Sequence, residues 1–431
     1  MNIVKYLSQS RGVGNSARRL SVISKRFGIS PARMRGALRE LLTVCAEYDA
    51  HPTLAVTACL IERNPYFFET LASRGADLGV HGFVHTDHAL LDDDEQYEHL
   101  SRALAAFSVI GLRPKGFRHP YLRFNEDTWH AASRLEFTHA SNSSVHWDVV
   151  EENLPPEALA AYYKGLQLYS SEPESQRMSL PRLVDGDILD IPASLPDDEA
   201  VLDRLALDGR HAGIFWLRTL DRTYELGEAM TLVVHNERVP MTANSLRALL
   251  RAARARKPGV WIATLSEIND WWRKRAKWQG RVEQLDDRRW RVSPPADTDA
   301  TILVRDAATQ PDSVPWYGRW RMMPASQPFI IHSDVAPMLS LGDAPDSART
   351  FISGEGYSVA TNGSVARALP LHTDGHFGPT AERPLSDSIE RTDHPLVRLW
   401  RWPRGARSAL AITSDVDAMS LVDFLRRPLE V

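Results

Sequence analysis

The sequence predicts an α/β fold, specifically a distorted (β/α)7-type barrel with an inserted small β-sandwich-like domain. Between residues 53 and 277, short apolar runs alternate with amphipathic segments, which is typical of parallel strands connected by helices. His81 and His235 each follow an apolar run directly, where barrel enzymes carry catalytic side chains. Near residue 280 the pattern changes to short alternating strands, which indicates a separate β-rich unit.

The composition is that of an ordinary globular protein. The chain has 431 residues, 43% of them hydrophobic and 25% charged, and a net charge of −4, so the whole chain is not expected to bind nucleic acid. Cys45 and Cys59 lie in apolar segments and indicate reduced core residues rather than a disulfide or a cysteine zinc site. The sequence has no apolar run of transmembrane length, and its first residues lack a secretory apolar segment. We therefore expect a cytoplasmic protein.

The first half of the chain opens with a helix and then alternates strand and helix. Ser30-Pro31 is a typical helix start, and Met34, Leu38 and Leu41 follow it at helical spacing. Strands are predicted over residues 54–60, 77–80, 115–118, 137–141, 188–191, 213–217, 231–234 and 259–263. Helices are predicted over residues 65–74, 95–110, 125–134, 197–205, 243–254 and 266–277.

The second half begins with short strands. Residues 281–292 are predicted to form a hairpin, with further strands over 301–304, 329–332 and 357–361, and Asn362-Gly363 is a strong hairpin turn signal. Residues 371–395 are expected to form a loop, and residues 409–413 another strand. We predict a barrel over 1–279, a β-rich accessory domain over 280–370 that could bind glycan, dimerise the protein or cover the site, and a C-terminal segment over 371–431 that supplies the first barrel strand.

A histidine pair follows the predicted strand 77–80. His81 and His85 are four residues apart, so both imidazoles can face one point if the chain turns after the strand. Two neutral imidazoles with one or two carboxylates can hold a divalent metal ion, most readily zinc. A second pair, His372 and His376, follows no predicted strand and is interpreted as a chance spacing.

Further segments resemble the NodB-type polysaccharide deacetylases. The pair is followed by Arg118-His119-Pro120-Tyr121 and by Val233-Val234-His235, and the order of these motifs over residues 52–277 matches that family. The family's first motif, an aspartate pair after the first strand, is absent before residue 45. The segment from Leu410 to Asp417 resembles it in an Asp-x-Asp form. The order of motifs therefore suggests a circular permutation, with the first barrel strand placed last.

The resemblance implies a role for each matching residue. The metal ligands would be His81, His85 and Asp417. Amide hydrolysis needs a base to activate water, donors for the oxyanion and an acid for the leaving amine. The catalytic residues would be Asp415 as general base, Arg118 as its ionic partner, Tyr121 through its backbone N–H as oxyanion donor, and His235 as general acid.

Two positions depart from the family pattern. His119 occupies a place where its ring could clog or extend the sugar pocket. The Asp-Trp segment that orients the late histidine has no clear match, and His146-Trp147-Asp148 is the nearest candidate. Asn142 and Ser144 could instead line the pocket.

The leading hypothesis is a metal-dependent carbohydrate N-deacetylase acting on an N-acetylated sugar or polysaccharide precursor. Alternatives are an amide hydrolase with a non-sugar substrate, and a catalytically degenerate barrel that binds glycan. The basic N-terminal stretch contains residues 23–34, which resemble a helix-turn-helix corner at Gly28 and would indicate DNA binding, a weaker interpretation. If the C-terminal strand entered a neighbouring copy, the protein would be a homo-oligomer with composite sites.

Overall fold

The computed structural model describes residues 26–426, apart from residues 152, 278–280, 296, 324–326, 361–366, 374 and 376. The predicted Asn362-Gly363 turn, His376 and the chain before residue 26 lie outside the described residues. The strands are β1 (Thr53–Val56), β2 (Asp77–Val80), β3 (Gly116–Phe117), β4 (His139–Ala140), β5 (Ser144–His146), β6 (Glu172–Pro173), β7 (Arg182–Val184), β8 (Ile188–Asp190), β9 (Ala193–Leu195), β10 (Ala229–Val233), β11 (Val260–Ile262), β12 (Arg281–Gln284), β13 (Arg289–Ser293), β14 (Ile302–Arg305), β15 (Ala308–Gln310), β16 (Val314–Tyr317), β17 (Trp320–Met322), β18 (Phe329–His332), β19 (Leu339–Ser340), β20 (Leu369–Pro370), β21 (Leu396–Leu399) and β22 (Ser408–Val416). The α-helices are α1 (Ala32–Ala46), α2 (Cys59–Arg63), α3 (Pro65–Ser73), α4 (Asp93–Ser108), α5 (Glu126–Arg134), α6 (Pro156–Leu168), α7 (Gly209–Leu226), α8 (Val239–Ala255), α9 (Leu265–Ala276), α10 (Asp346–Gly354), α11 (Pro379–Arg391) and α12 (Leu421–Arg426).

One large sheet carries the first part of the fold. Its strand order is β6-β5-β9-β10-β22-β1-β2-β3-β4-β8-β7, with β11 beside the start of β22, and its pairs are parallel except for β7 with β8. Helices pack on one face of this sheet through a buried apolar cluster that includes Leu54, Val80, Phe117, Leu232 and Ile412. The predicted α/β class is confirmed.

The large sheet is curled. Residues 141–143 link β4 to β5, and residues 191–192 link β8 to β9, so the pair of β4 with β8 continues directly into the pair of β5 with β9. Strand β9 then pairs with β10, which leads back to β22 and β1. The carboxyl ends of the parallel strands are thereby gathered around one rim.

The C-terminal strand lies inside the sheet of its own chain. All nine residues of β22 are buried; Ala409–Thr413 pair with β10, and Thr413–Val416 pair with β1. Beyond the strand, the Leu421 N–H donates to the Gly28 carbonyl at 2.8 Å, and the rings of Phe27 and Phe424 stack with centroids 5.4 Å apart. The two ends of the described chain therefore meet, and no exchange of this strand between copies is needed.

Three predicted elements are wrong. The strand expected over residues 357–361 is replaced, in its described part, by isolated bridges at Tyr357 and Val359. Residues 213–217, expected as a strand, belong to helix α7, which Asp208 caps by accepting the N–H groups of Arg210 and His211. The apolar run there marks the buried face of a helix, with Phe215 and Trp216 in the core. Residues 371–395, expected as loop, contain helix α11.

The β-rich segment forms two four-stranded antiparallel sheets, of order β12-β13-β18-β15 and β16-β17-β14-β21. Buried residues of both sheets share one apolar cluster, and β21 comes from beyond residue 370. The segment contacts the large sheet where its strands begin, since Trp402 donates to the Gly227 carbonyl and Arg383 pairs with Glu228, both just before β10. These contacts lie at the opposite end of the strands from His81. Among the described residues, no helix is both long and apolar enough to cross a bilayer.

Candidate metal centre and active site

Three strand ends bring the predicted site residues together. Strands β2, β1, β22 and β10 are parallel neighbours, so the residues that follow them emerge at the same rim. His81 follows β2 directly, His235 lies two residues beyond β10, and Asp415 and Asp417 lie at the end of β22. Residues more than 300 positions apart in the chain are thus neighbours because the C-terminal strand lies between β10 and β1.

The predicted metal ligands form one compact cluster. The Nε2 atoms of His81 and His85 each lie 3.4 Å from a carboxylate oxygen of Asp417, one oxygen for each ring. The His81 side chain is 1% exposed and that of Asp417 is 17% exposed, so the cluster is shielded but open to the rim.

The orientation of His81 suits metal binding. Its Nδ1 lies 2.7 Å from the Arg118 carbonyl oxygen. Because a carbonyl can only accept, Nδ1 is the donor in this contact, and Nε2 is the ring nitrogen that faces Asp417. Metal–ligand bonds of about 2.0–2.2 Å at tetrahedral angles place neighbouring ligand atoms about 3.3–3.5 Å apart, which fits the observed separations.

A glycine permits the turn that brings His85 back towards His81. Gly82 has φ of +75°, a backbone conformation that L side chains rarely adopt. A Cβ atom there would also lie 2.9 Å from the ring of His88. The His-Gly-x-x-His spacing thus has a local structural reason beyond the two ligands.

Asp415 is held by a buried arginine. The Arg118 Nη1 donates to Asp415 Oδ1 at 2.9 Å and to Thr413 Oγ1 at 2.8 Å, and both charged side chains are buried. Burial alone would raise the pKa of Asp415, but the guanidinium of Arg118, assisted by His81 and His235, outweighs it and leaves that pKa lowered. Asp415 is therefore a carboxylate beside the cluster of His81, His85 and Asp417.

His235 is paired with a carboxylate that the sequence interpretation missed. Its Nδ1 lies 2.7 Å from Oδ1 of Asp198, and its backbone N–H donates to Oδ2 at 2.7 Å. Asp198 is fully buried. Burial alone would lower the pKa of His235, but Asp198 outweighs it and raises that pKa well above the ordinary value of 6.5. Asp198 holds the place expected for Asp148, which is exposed. The available signal was the Asp197-Asp198 pair at the start of the predicted helix 197–205.

Tyr121 lies beside His85 at the rim. The two rings meet edge to face with centroids 4.7 Å apart, and Tyr121 is 41% exposed. Its backbone is left-handed, with φ of 61°, although it is not a glycine. Such strain in a non-glycine residue is frequent at functional sites, because the surrounding structure has to enforce it.

His119 does not enter the pocket, contrary to the expectation from the sequence. Its ring is fully buried and stacks on His88, with centroids 3.9 Å apart and an angle of 10° between the planes. Its backbone N–H donates to Asn142 Oδ1 at 2.8 Å. Burial lowers the pKa of both histidines well below the ordinary value, so the stack is neutral.

Known proteins match the first part of the chain. Residues 26–140 match the polysaccharide deacetylase family. This part of the chain is therefore similar to a polysaccharide deacetylase domain. This deacetylase match includes His81, His85, Arg118 and Tyr121 but ends before His235 and the aspartates of β22.

A peptidoglycan deacetylase-like protein of Gibberella zeae is 32% identical over 87 residues, which are 20% of this chain and about a quarter of that protein's length (26%). Among solved structures, a Mycobacterium smegmatis protein assigned to the polysaccharide deacetylases has a TM-score of 0.45 and 21% identity, covering 58% of this chain and 81% of that one. One with the same assignment from Pseudomonas aeruginosa has a TM-score of 0.45 and 17% identity, covering 56% and 74%. A protein described as a CE4 family pseudoenzyme, from Bacillus anthracis, has a TM-score of 0.24 and 16% identity, covering 25% of this chain and 38% of that one.

Proposed function

We propose that this protein is a metal-dependent carbohydrate N-deacetylase that releases acetate from N-acetylated sugars or polysaccharide precursors. The observation that carries the proposal is the convergence of an Asp-x-Asp pair from β22 with two histidines from the loop after β2. Two imidazoles and one carboxylate leave open positions on a zinc-type ion, which is the arrangement of a catalytic rather than a structural site.

The proposed mechanism gives one role to the metal ligands, one to Asp415 and one to His235. A divalent ion held by His81, His85 and Asp417 would polarise the amide carbonyl and lower the pKa of a water molecule. Asp415, kept ionised by Arg118, takes the proton of the attacking water. His235, held as an imidazolium by Asp198, donates a proton to the leaving amine nitrogen.

We further propose that the curled sheet is a distorted seven-stranded barrel in permuted order. Strands β22, β1, β2 and β3 would be the first four, β4 with β5 and β8 with β9 would each count as one bent strand, and β10 would be the last. The contact between Phe27 and Phe424 supports this reading, because an unpermuted chain would continue from α12 towards α1 at that point. The two β-rich sheets would be the inserted domain.

The proposal is tested by metal content and acetate release. Asp417→Ala should lose most bound zinc and release no detectable acetate from N-acetylated oligosaccharides, because one of three ligands is removed. Asp94→Ala is the matched control, since the Asp94 side chain is 92% exposed on α4. Full metal content in Asp417→Ala would contradict the ligand set. Turnover of small non-sugar amides, without acetate release from any glycan by the metal-loaded protein, would indicate a different amide hydrolase.

A further inference from the structure

A buried carboxylate at the end of β8 has no role in the mechanism above. Asp190 is 1% exposed and accepts the backbone N–H of Asn142 at 2.9 Å, the backbone N–H of Ser143 at 3.3 Å and the Ser143 hydroxyl. Arg177 donates to Ser143 Oγ at 3.1 Å and lies 3.9 Å from the carboxylate. All of these donors lie on or beside the bend that joins β4 to β5.

That bend is hydrogen-bonded to the segment after β3, which contains Arg118 and His119. The Ser141 carbonyl accepts from Arg118 Nε at 3.1 Å, and the Ser141 hydroxyl accepts from Arg118 Nη2 at 2.8 Å. Asn142 Oδ1 accepts a hydrogen bond from the N–H of His119, the residue after Arg118. The bend therefore fixes both the guanidinium of Arg118 and the backbone that leads to Tyr121.

Arg118 in turn fixes two groups of the proposed centre. The remaining donor of its guanidinium, Nη1, reaches Asp415, and its carbonyl oxygen accepts from His81 Nδ1. A shift of the bend would therefore displace the base and rotate a metal ligand together. Misplacement by about 1 Å in such a site can cost about 100-fold in rate.

We propose that Asp190 is a positioning residue of this site, acting through the Ser141–Asn142 bend on Arg118, and so on Asp415 and His81. The inference rests on the proposed metal centre, and its kinetic consequence rests in addition on the proposed activity. Among the described residues, the Asp190 carboxylate has its hydrogen bonds and ion pair with Asn142, Ser143 and Arg177, so the effect of its charge on Arg118 is expected to pass through the bend.

The test compares Asp190→Asn with Glu228→Gln. Glu228 is also a fully buried carboxylate, accepting the Ser179 N–H at 2.8 Å and pairing with Arg383 at 2.6 Å, but it lies at the opposite end of the sheet. Asp190→Asn should weaken zinc affinity about tenfold and lower kcat by about 10- to 100-fold with little change in KM. Glu228→Gln should lower the melting temperature without either effect. Unchanged zinc affinity and kcat in Asp190→Asn, or equal losses in both variants, would overturn the proposal.

A double variant tests the route. If Asp190 acts through Ser141, then Asp190→Asn combined with Ser141→Ala should lose less than the sum of the two single effects, whereas independent roles should add. Full additivity would overturn the proposed route. Zinc titration does not depend on turnover, so it still decides the role of Asp190 if the wild-type protein releases no acetate.

Discussion

At the scale of single residues, the sequence identifies side chains whose partners are set by a local motif. His81 and His85 are predictable because one strand end and one turn fix both. Asp198 could not be assigned from the sequence, because it lies 37 residues before His235 and the two meet only through the parallel pairing of β9 with β10. His119 was assigned wrongly, since nothing in the local sequence shows which way its ring turns from the backbone.

The pair of Asp198 and His235 gives a prediction for pH dependence. Because Asp198 raises the pKa of His235, the acid form persists above pH 6.5 and is lost only as the pH rises through the raised value. Asp198→Asn removes the negative charge, so the alkaline limb of the kcat profile should move to lower pH. Asp148→Asn, at the exposed carboxylate expected from the sequence, should leave the profile unchanged. An unaltered limb in Asp198→Asn would argue against His235 as the acid.

At the scale of elements, the loop after β2 depends on a group of buried histidines. The Phe83 N–H donates to Nδ1 of His99, which lies on α4, at 3.2 Å. This Nδ1 also lies 3.0 Å from His88 Nε2. His119 then stacks on His88. The alternation of strands and helices predicts the position of β2. The histidine contacts that support the following loop link α4 to the segment after β3, and the local sequence does not reveal them.

The turn at Gly82 gives a prediction with an internal control. Gly82→Ala adds a side chain at positive φ and places it against the His88 ring, so both stability and zinc affinity should fall. Gly111 has φ of +70° with open space around it, so Gly111→Ala should show only the backbone cost of about 1–2 kcal/mol. Denaturant unfolding and zinc titration measure the two effects. Equal behaviour of the two variants would show that the contact with His88 is unimportant.

The histidine group predicts acid sensitivity. Burial lowers the pKa of His99 to about 4 and lowers those of His88 and His119 well below 6.5. Stability from these neutral rings is therefore full above about pH 6.5 and declines as the pH falls towards 4, at about 1.4 kcal/mol per unit of pKa shift. His119→Phe keeps a flat ring in the stack and cannot titrate. Its free energy of unfolding should fall less between pH 7 and 5 than that of the wild type, and an equal fall would contradict this account.

At the scale of the whole molecule, the C-terminal strand organises the fold. Motif order predicts that β22 belongs with the early strands, and in the structure β22 pairs with β1 and β10. The position of the β-rich segment could not be predicted, because it follows from long-range contacts such as Arg401 and Arg398 with the buried Glu355. The β-rich segment leads into β22 at the end of the large sheet where the strands begin, which is opposite the candidate site.

The contact between the two ends of the described chain predicts that the order of segments can be changed. A protein in which residues 403–431 precede residues 26–402 through a flexible linker should fold, because Leu421 and Gly28 are already hydrogen-bonded neighbours. We expect its zinc affinity to match that of the original chain. The control is the same rearranged chain with the substitutions Asp415→Asn and Asp417→Asn, which should bind no zinc. Failure of the rearranged chain to fold would contradict the continuity of α12 with the N-terminal segment.

The place of β22 also bears on how the protein emerges from the ribosome. Strands β1 and β10 are translated long before their shared neighbour, and each then presents a row of unpaired backbone groups. Such open edges favour association with other chains. A nascent chain stalled before residue 408 should therefore recruit chaperones and lack affinity for zinc, and both properties should change once the last strand has left the exit tunnel.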